Sequence, residues 1–279
     1  RKQSYHGNTL GALAVGGNVQ RRSLFKDLLI ETSLISPCYK YRFQDAKESE
    51  IQYGLRVANE LEDEIIRLGP DNVMAFIAET VVGATAGALT PVKGYFERIR
   101  EICTKYNVLL ILDEVMCGMG RTGPLFACDE EKIVPDIITI AKGLGAGYQP
   151  IAAMMCQNFI NDAINLGSGF FQHGHTYLGH PIACAASLAV VNKLIKENFF
   201  EKVRKKGEYL QKSLEVTLSQ NEYIGDIRGR GLFRAVELVQ NRETKEPFPK
   251  NFNIAGKIKK RALDLGLICY PMQGTVDGT

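Results

Sequence analysis

Two ionisable residues of opposite charge close two short apolar runs. Val108–Leu112 ends on Asp113, and Ile137–Ile140 runs into Ala141-Lys142-Gly143. Both runs are rich in residues that favour β-structure, and the 29 residues from Asp113 to Lys142 are about the length of one right-handed crossover between parallel neighbours. In open α/β sheets, ligands settle at the carboxyl ends of the strands. A carboxylate and a lysine facing one crevice there would suit pyridoxal 5'-phosphate (PLP). The lysine holds the aldehyde as a Schiff base, and the aspartate keeps the pyridine nitrogen protonated so that the ring withdraws electrons. Lys142 follows apolar residues and precedes Gly143, Gly145 and Gly147. Burying an ammonium is costly, and desolvation lowers its pKa toward the neutral amine that attacks an aldehyde. A desolvated lysine is therefore expected, against the alternative of one reaching solvent at the sheet rim. The glycines let a ligand approach the backbone.

Other constellations in the chain could also do chemistry. Four apolar residues followed by Asp-Glu also mark the metal-side strand of nucleoside triphosphatases, but the chain has no Gly-x-x-x-x-Gly-Lys-Ser/Thr loop. Tyr5, in Ser4-Tyr5-His6-Gly7, supplies a ring that could stack on a planar cofactor or fill a core. His173, His175 and His180 have a spacing that could ligate a metal, yet no Asp, Glu or Cys stands in the run between them. No metal is expected.

The elements that would position these residues follow from periodicity. Glu48–Leu68 carries apolar residues at helical spacing and is broken by Gly69-Pro70-Asp71-Asn72. Val73–Ala78 predicts a buried strand ending at Glu79, glycine-rich turns run to Pro91, and 94–106 predicts a helix. After the Asp113 and Lys142 strands comes a strand over 151–156. Residues 20–45 lack periodicity and predict loop. Beyond Pro181 the pattern predicts helices over 182–195 and 200–218, a strand over 232–239 and a helix near 254–265. Strand and crossover alternate as in a mostly parallel sheet. The expected fold is α/β, with a large domain over 1–195 and a small α+β domain over 196–279.

Bulk properties narrow the function. A net charge of +3 over 279 residues is too small to suggest nucleic acid, and the basic clusters Lys202–Lys206 and Lys257–Arg261 fall on amphipathic patterns. No apolar run approaches the length of a membrane span. Seven cysteines without a Cys-x-x-Cys pair fit a reducing compartment. The expected location is cytoplasmic, or mitochondrial should a transit peptide precede residue 1.

Taken together, the motifs resemble the class III family of PLP-dependent aminotransferases, of fold type I. The resemblance rests on Ser4-Tyr5-His6-Gly7, Ala78-Glu79-Thr80-Val81-Val82-Gly83, Leu112-Asp113-Glu114-Val115, Gly120-Arg121-Thr122-Gly123, Ala141-Lys142-Gly143-Leu144-Gly145, His173-Gly174-His175-Thr176-Tyr177 and Gly229-Arg230-Gly231-Leu232. It implies that Lys142 and Asp113 are catalytic: Lys142 would bond the cofactor and shuttle a proton, and Asp113 would pair with the ring nitrogen. Val115 and Tyr5 would cover opposite ring faces, His6 and Glu79 would line the pocket, and Thr176 would reach the phosphate bound in the neighbouring subunit of a homodimer. The reaction implied moves an amino group from an amino acid or amine to an oxo acid such as pyruvate in ping-pong fashion. The same motifs would also serve a decarboxylase, lyase or aminomutase, or an inactive truncated homologue.

The resemblance further implies a chain cut short at both ends, beginning after the family's Gly-Ser/Thr phosphate loop and stopping before its C-terminal strand. Ala84 stands where relatives acting on ornithine or γ-aminobutyrate carry a second glutamate. Met116 stands where many relatives have Gln, and His180 where Asn is frequent.

Overall fold

In the computed structural model, residues 1–273 are described; residues 274–279 lie outside the described residues. Nine α-helices and six strands occur among them: α1 (Leu10–Val15), α2 (Val19–Arg22), α3 (Lys40–Phe43), α4 (Glu50–Leu68), β1 (Ala75–Glu79), α5 (Tyr95–Lys105), β2 (Leu109–Asp113), β3 (Ile137–Ile140), β4 (Ala153–Cys156), α6 (Asn158–Leu166), α7 (Pro181–Lys196), α8 (Phe199–Leu218), β5 (Ile224–Arg230), β6 (Phe233–Leu238) and α9 (Ile254–Asp264).

Helix α4 shows how local sequence sets these limits. Ser49 caps it in a reciprocal box: Ser49 Oγ accepts from Gln52 N at 3.3 Å, and Gln52 Oε1 accepts from Ser49 N at 2.9 Å. Gly69 stops it at φ +87°, and Pro70 follows. Its apolar stripe of Tyr53, Val57, Leu61 and Ile65 packs on α5, whose Phe96, Ile99 and Ile102 are fully buried. Each such side chain contributes about 1.5–3 kcal/mol by leaving water. The two helices lie on one core with Leu110 and Leu112 of β2.

The main sheet has the order β1-β2-β3-β4. β1, β2 and β3 run parallel, with Glu79 opposite Asp113 and Asp113 opposite Thr139. β4 runs antiparallel to β3, pairing Ile140 with Ala153. The sheet is thus mostly parallel with an antiparallel edge, and all four residues of β4 are exposed.

Some local expectations were not met. Residues 20–45 hold α3 and part of α2, in which Asn18 Oδ1 accepts from Arg21 N at 3.2 Å and so caps a single turn; elements this short carry no readable period. α6 was not expected, and neither was β5, which pairs antiparallel with β6 through Arg228–Ala235 and Arg230–Phe233. Glycines and charges depress the strand propensity of Ile224–Arg230, and pairing overrides it.

Candidate active site

The register of β1 on β2 sets two carboxyls side by side. Glu79 and Asp113 are only 5% and 6% exposed. Asp113 Oδ2 lies 2.9 Å from His6 Nδ1, and Oδ1 accepts from Val115 N at 3.0 Å. His6 reaches this place from a segment whose start is pinned by Ser4: its hydroxyl donates to the Arg1 carbonyl at 2.7 Å and accepts from Gly17 N at 3.0 Å. Glu79 Oε1 accepts from Gly83 N at 3.2 Å, and the Arg1 guanidinium donates to the Glu79 carbonyl. Burial is the main cause raising the Glu79 carboxyl above its usual range; His6 opposes the shift and Asp113 adds to it.

Alternation along β2 sends the next side chain elsewhere. Glu114 is fully buried and accepts from Thr80 Oγ1 at 2.7 Å, Ala127 N at 2.6 Å and Cys128 N at 2.8 Å. It ties the end of β2 to the loop after β1 and to the 127–129 turn. The sequence reading gave Glu114 no role; the adjacent Asp-Glu pair at a strand end was the available signal.

Lys142 corrects an expectation. Its side chain is exposed, not desolvated. β3 ends at Ile140, and Lys142 opens a 3₁₀ turn over Lys142–Leu144 at φ +43°. The physical reason is the uncovered sheet edge beside it: Ala146–Tyr148 and the whole of β4 are themselves exposed. Because β2 and β3 are parallel neighbours, Lys142 still lies beyond the same carboxyl edge of the sheet as Asp113.

The remaining candidates divide. Tyr5 is half-buried, with the Arg21 guanidinium 4.7 Å from its ring centroid, and Val115 is half-buried beside Asp113. Thr176 is exposed, and no hydrogen bond among the described residues joins it to the acid cluster. His173 and His175 are exposed and meet edge to face at 5.1 Å, while His180 Nδ1 accepts from Ala183 N at 3.4 Å as the cap of α7. Among the described residues no group of three or more His, Cys, Asp or Glu could hold a metal ion. No helix among them is long and apolar enough to cross a membrane.

Two buried polar atoms of the cluster, Glu79 Oε2 and His6 Nε2, have no hydrogen-bond partner among the described residues. A buried acid pair whose Asp113 member is oriented by a histidine and a backbone N–H suits a protonated ring nitrogen. Gly83 leaves the space above Glu79 open to Met116, whose Sδ would lie 2.4 Å from any Cβ there. These residues fit a pyridine-type cofactor.

Comparison with known proteins gives the family. The profile of the family described as aminotransferase class-III matches residues 1–276. The chain is 47% identical to an aminotransferase of Gibberella zeae, covering 100% of this chain and 55% of that protein. It is 44% identical to an uncharacterized aminotransferase of Schizosaccharomyces pombe, covering 100% and 61%. The omega transaminase from Pseudomonas jessenii, solved in complex with PMP, superposes with a TM-score of 0.92 at 35% identity, covering 98% of this chain and 60% of that one. The chain therefore spans little more than half the length of the curated relatives it matches.

Proposed function

The chain belongs to the class III aminotransferase family, and from that premise we propose that its site binds PLP and transfers an amino group from an amino acid or amine to an oxo acid such as pyruvate. When bound, PLP supplies an aldehyde that takes the amino group and a ring that stores electrons. The observation that carries the reading is the buried Glu79–Asp113–His6 cluster sharing a sheet edge with Lys142.

Each residue has a task in this reading. Asp113, held by His6 and the Val115 amide, would keep the ring nitrogen protonated. Lys142 would hold the aldehyde carbon and move the proton at the substrate carbon, an amine free to swing because its side chain is exposed. Val115 and Tyr5 would cover the two ring faces, and the Arg21 guanidinium 4.7 Å from the Tyr5 ring centroid would steady that ring. Glu79 would line the pocket beside Asp113.

A homodimer with shared sites completes the proposal. Thr176 stands on a stretch that exposes Phe170, Phe171, Tyr177 and Leu178, and Ile182, four residues further along the chain, is exposed as well. So much apolar surface together supports an interface, from which Thr176 would reach the partner's phosphate. All seven cysteines are free, which supports a reducing compartment.

The test is titration of the full-length protein with PLP, followed by the visible absorbance of the bound cofactor and by product analysis with ω-amino acids and pyruvate. Lys142→Ala should lose that absorbance and all turnover. Retention of both by the variant would refute the assignment.

A further inference from the structure

Arg228 of β5 stands apart from every site residue above, yet it grips the segment that leads to one of them. Its Nε donates to the Gly87 carbonyl at 2.8 Å, and its Nη2 donates to the Ala86 carbonyl at 2.6 Å and the Tyr39 hydroxyl at 3.0 Å. Nη1 meets the Asp226 carboxylate at 2.9 Å and also the Glu237 carboxylate. Two carboxylates of its own hairpin answer the guanidinium charge, so the bonds to Ala86 and Gly87 add geometry and not neutralisation. Only a planar fork can meet two adjacent carbonyls while facing acids on its other side.

Those carbonyls belong to a closed turn. Val82 and Leu89 exchange backbone hydrogen bonds at 2.9 and 3.1 Å, and Gly87 N donates to the Gly83 carbonyl at 2.9 Å. Thr85 Oγ1 donates to the Gln3 carbonyl at 2.6 Å, joining the turn to the segment that carries His6. At its other end, Gly83 N donates to Glu79 Oε1, the one side-chain hydrogen bond that Glu79 makes among the described residues. The turn therefore runs from the Arg228 fork to the Glu79 carboxyl, and Glu79 lies against Asp113 in the strand register.

We propose that Arg228 is a positioning residue for the cofactor site: by holding the Ala86 and Gly87 carbonyls it fixes Gly83 N, and with it the Glu79 carboxyl beside the Asp113–His6 pair. The proposal rests on the PLP reading above and extends it to the C-terminal hairpin. The charged and titratable groups facing Glu79 are Asp113, His6, Arg1 and the buried Cys117 thiol. Those facing Arg228 are Asp226, Glu237 and Tyr39, with Arg42 on the far side of Glu237, its Nε donating at 2.7 Å.

The experiment compares two arginines of one strand in the full-length protein. Arg230 ties β5 to Glu130 and Glu131 at 3.0 and 2.7 Å and makes no bond to the 83–89 turn. Arg228→Lys keeps the charge and loses the fork. It should raise the PLP dissociation constant about tenfold, shift the pH midpoint of the bound-cofactor absorbance, and speed amide exchange over residues 83–89. Arg230→Gln should leave the midpoint and that exchange unchanged. Placed on Glu79→Gln, Arg228→Lys should no longer move the midpoint, because the two act through one path. The proposal is overturned by a wild-type midpoint and affinity in Arg228→Lys, by the same shift in Arg230→Gln, or by additivity with Glu79→Gln. A wild-type protein that takes up no PLP overturns the functional reading and this proposal together, whereas normal uptake with an indifferent Arg228→Lys overturns this proposal alone.

Discussion

At the ends of β1 and β2, Glu79, Thr80, Asp113 and Glu114 are buried and hydrogen-bonded; at the end of β3, Lys142 stands in solvent, as does Thr176 further along. Position in the sheet explains the difference. β2 has a parallel neighbour on each side and helices α4 and α5 over its core, while β3 is followed by the exposed edge strand β4. The acid half of the site is preorganised by contacts within the chain. The lysine half, on the reading proposed, acquires its surroundings from the cofactor and a second subunit. Substitutions on the acid side should therefore disturb stability, and substitutions on the lysine side should disturb function alone.

The sharpest test of that division is Glu114→Ala. It would strand the Thr80 hydroxyl and the amides of Ala127 and Cys128 without an acceptor, and it would leave a cavity under the end of β2. We expect a loss of about 3 kcal/mol in denaturant unfolding at neutral pH. A loss below about 1 kcal/mol would mean that the acid half is less tightly built than its bonds indicate.

Glu79→Gln separates burial from bonding. The Glu79 carboxyl is raised above its unfolded value, chiefly by desolvation, so the folded state holds its proton more tightly than the unfolded chain does. Its favourable contribution is complete below the unfolded pKa and is lost as pH rises through the folded pKa. Wild type should thus lose stability relative to Glu79→Gln as pH climbs from about 4.3 toward neutrality. Parallel pH–stability curves for the two proteins would show that Glu79 is not strained by its burial.

How far sequence alone could reach follows the same boundary. The apolar spacing of Tyr53, Val57, Leu61 and Ile65 sufficed for α4, and the runs ending at Glu79, Asp113 and Ile140 sufficed for three parallel strands, because burial writes a period into a sequence. The hydrogen bond from His6 to Asp113 spans more than a hundred residues and leaves no local trace. Neither does the grip of Arg228 on Ala86 and Gly87. The exposure of Lys142 was misjudged for a related reason: apolar residues before a lysine say what the strand buries, not what covers its end. The resemblance to the family, not spacing, is what put His6 forward with Asp113 and Lys142 as members of one candidate site.

A smaller effect is expected at the contact between Gly83 and Met116. A Cβ at Gly83 would lie 2.4 Å from Met116 Sδ, and a thioether side chain can move aside at modest expense. Gly83→Ala should cost about 1 kcal/mol. Adding Met116→Ala should recover part of that loss, in a double-mutant cycle read by unfolding. Strict additivity would place the strain in the 83–89 backbone and strengthen the case for a rigid turn.

The smallest change in stability is expected at the residue with the largest predicted effect on chemistry. Lys142 is exposed, makes no ion pair among the described residues and occupies a left-handed backbone position at φ +43° that Ala would occupy no more easily. Lys142→Ala should therefore leave unfolding within about 0.5 kcal/mol of wild type, while PLP-dependent absorbance and turnover vanish. Pairing this variant with Asp113→Asn makes the contrast quantitative. Asp113 is buried against His6 and Val115, so its amide variant should destabilise the fold as well as weaken PLP binding. A Lys142→Ala protein that unfolds as readily as Asp113→Asn would show that the β3 end is more closely packed than its exposure indicates, and the distinction between the two halves would dissolve.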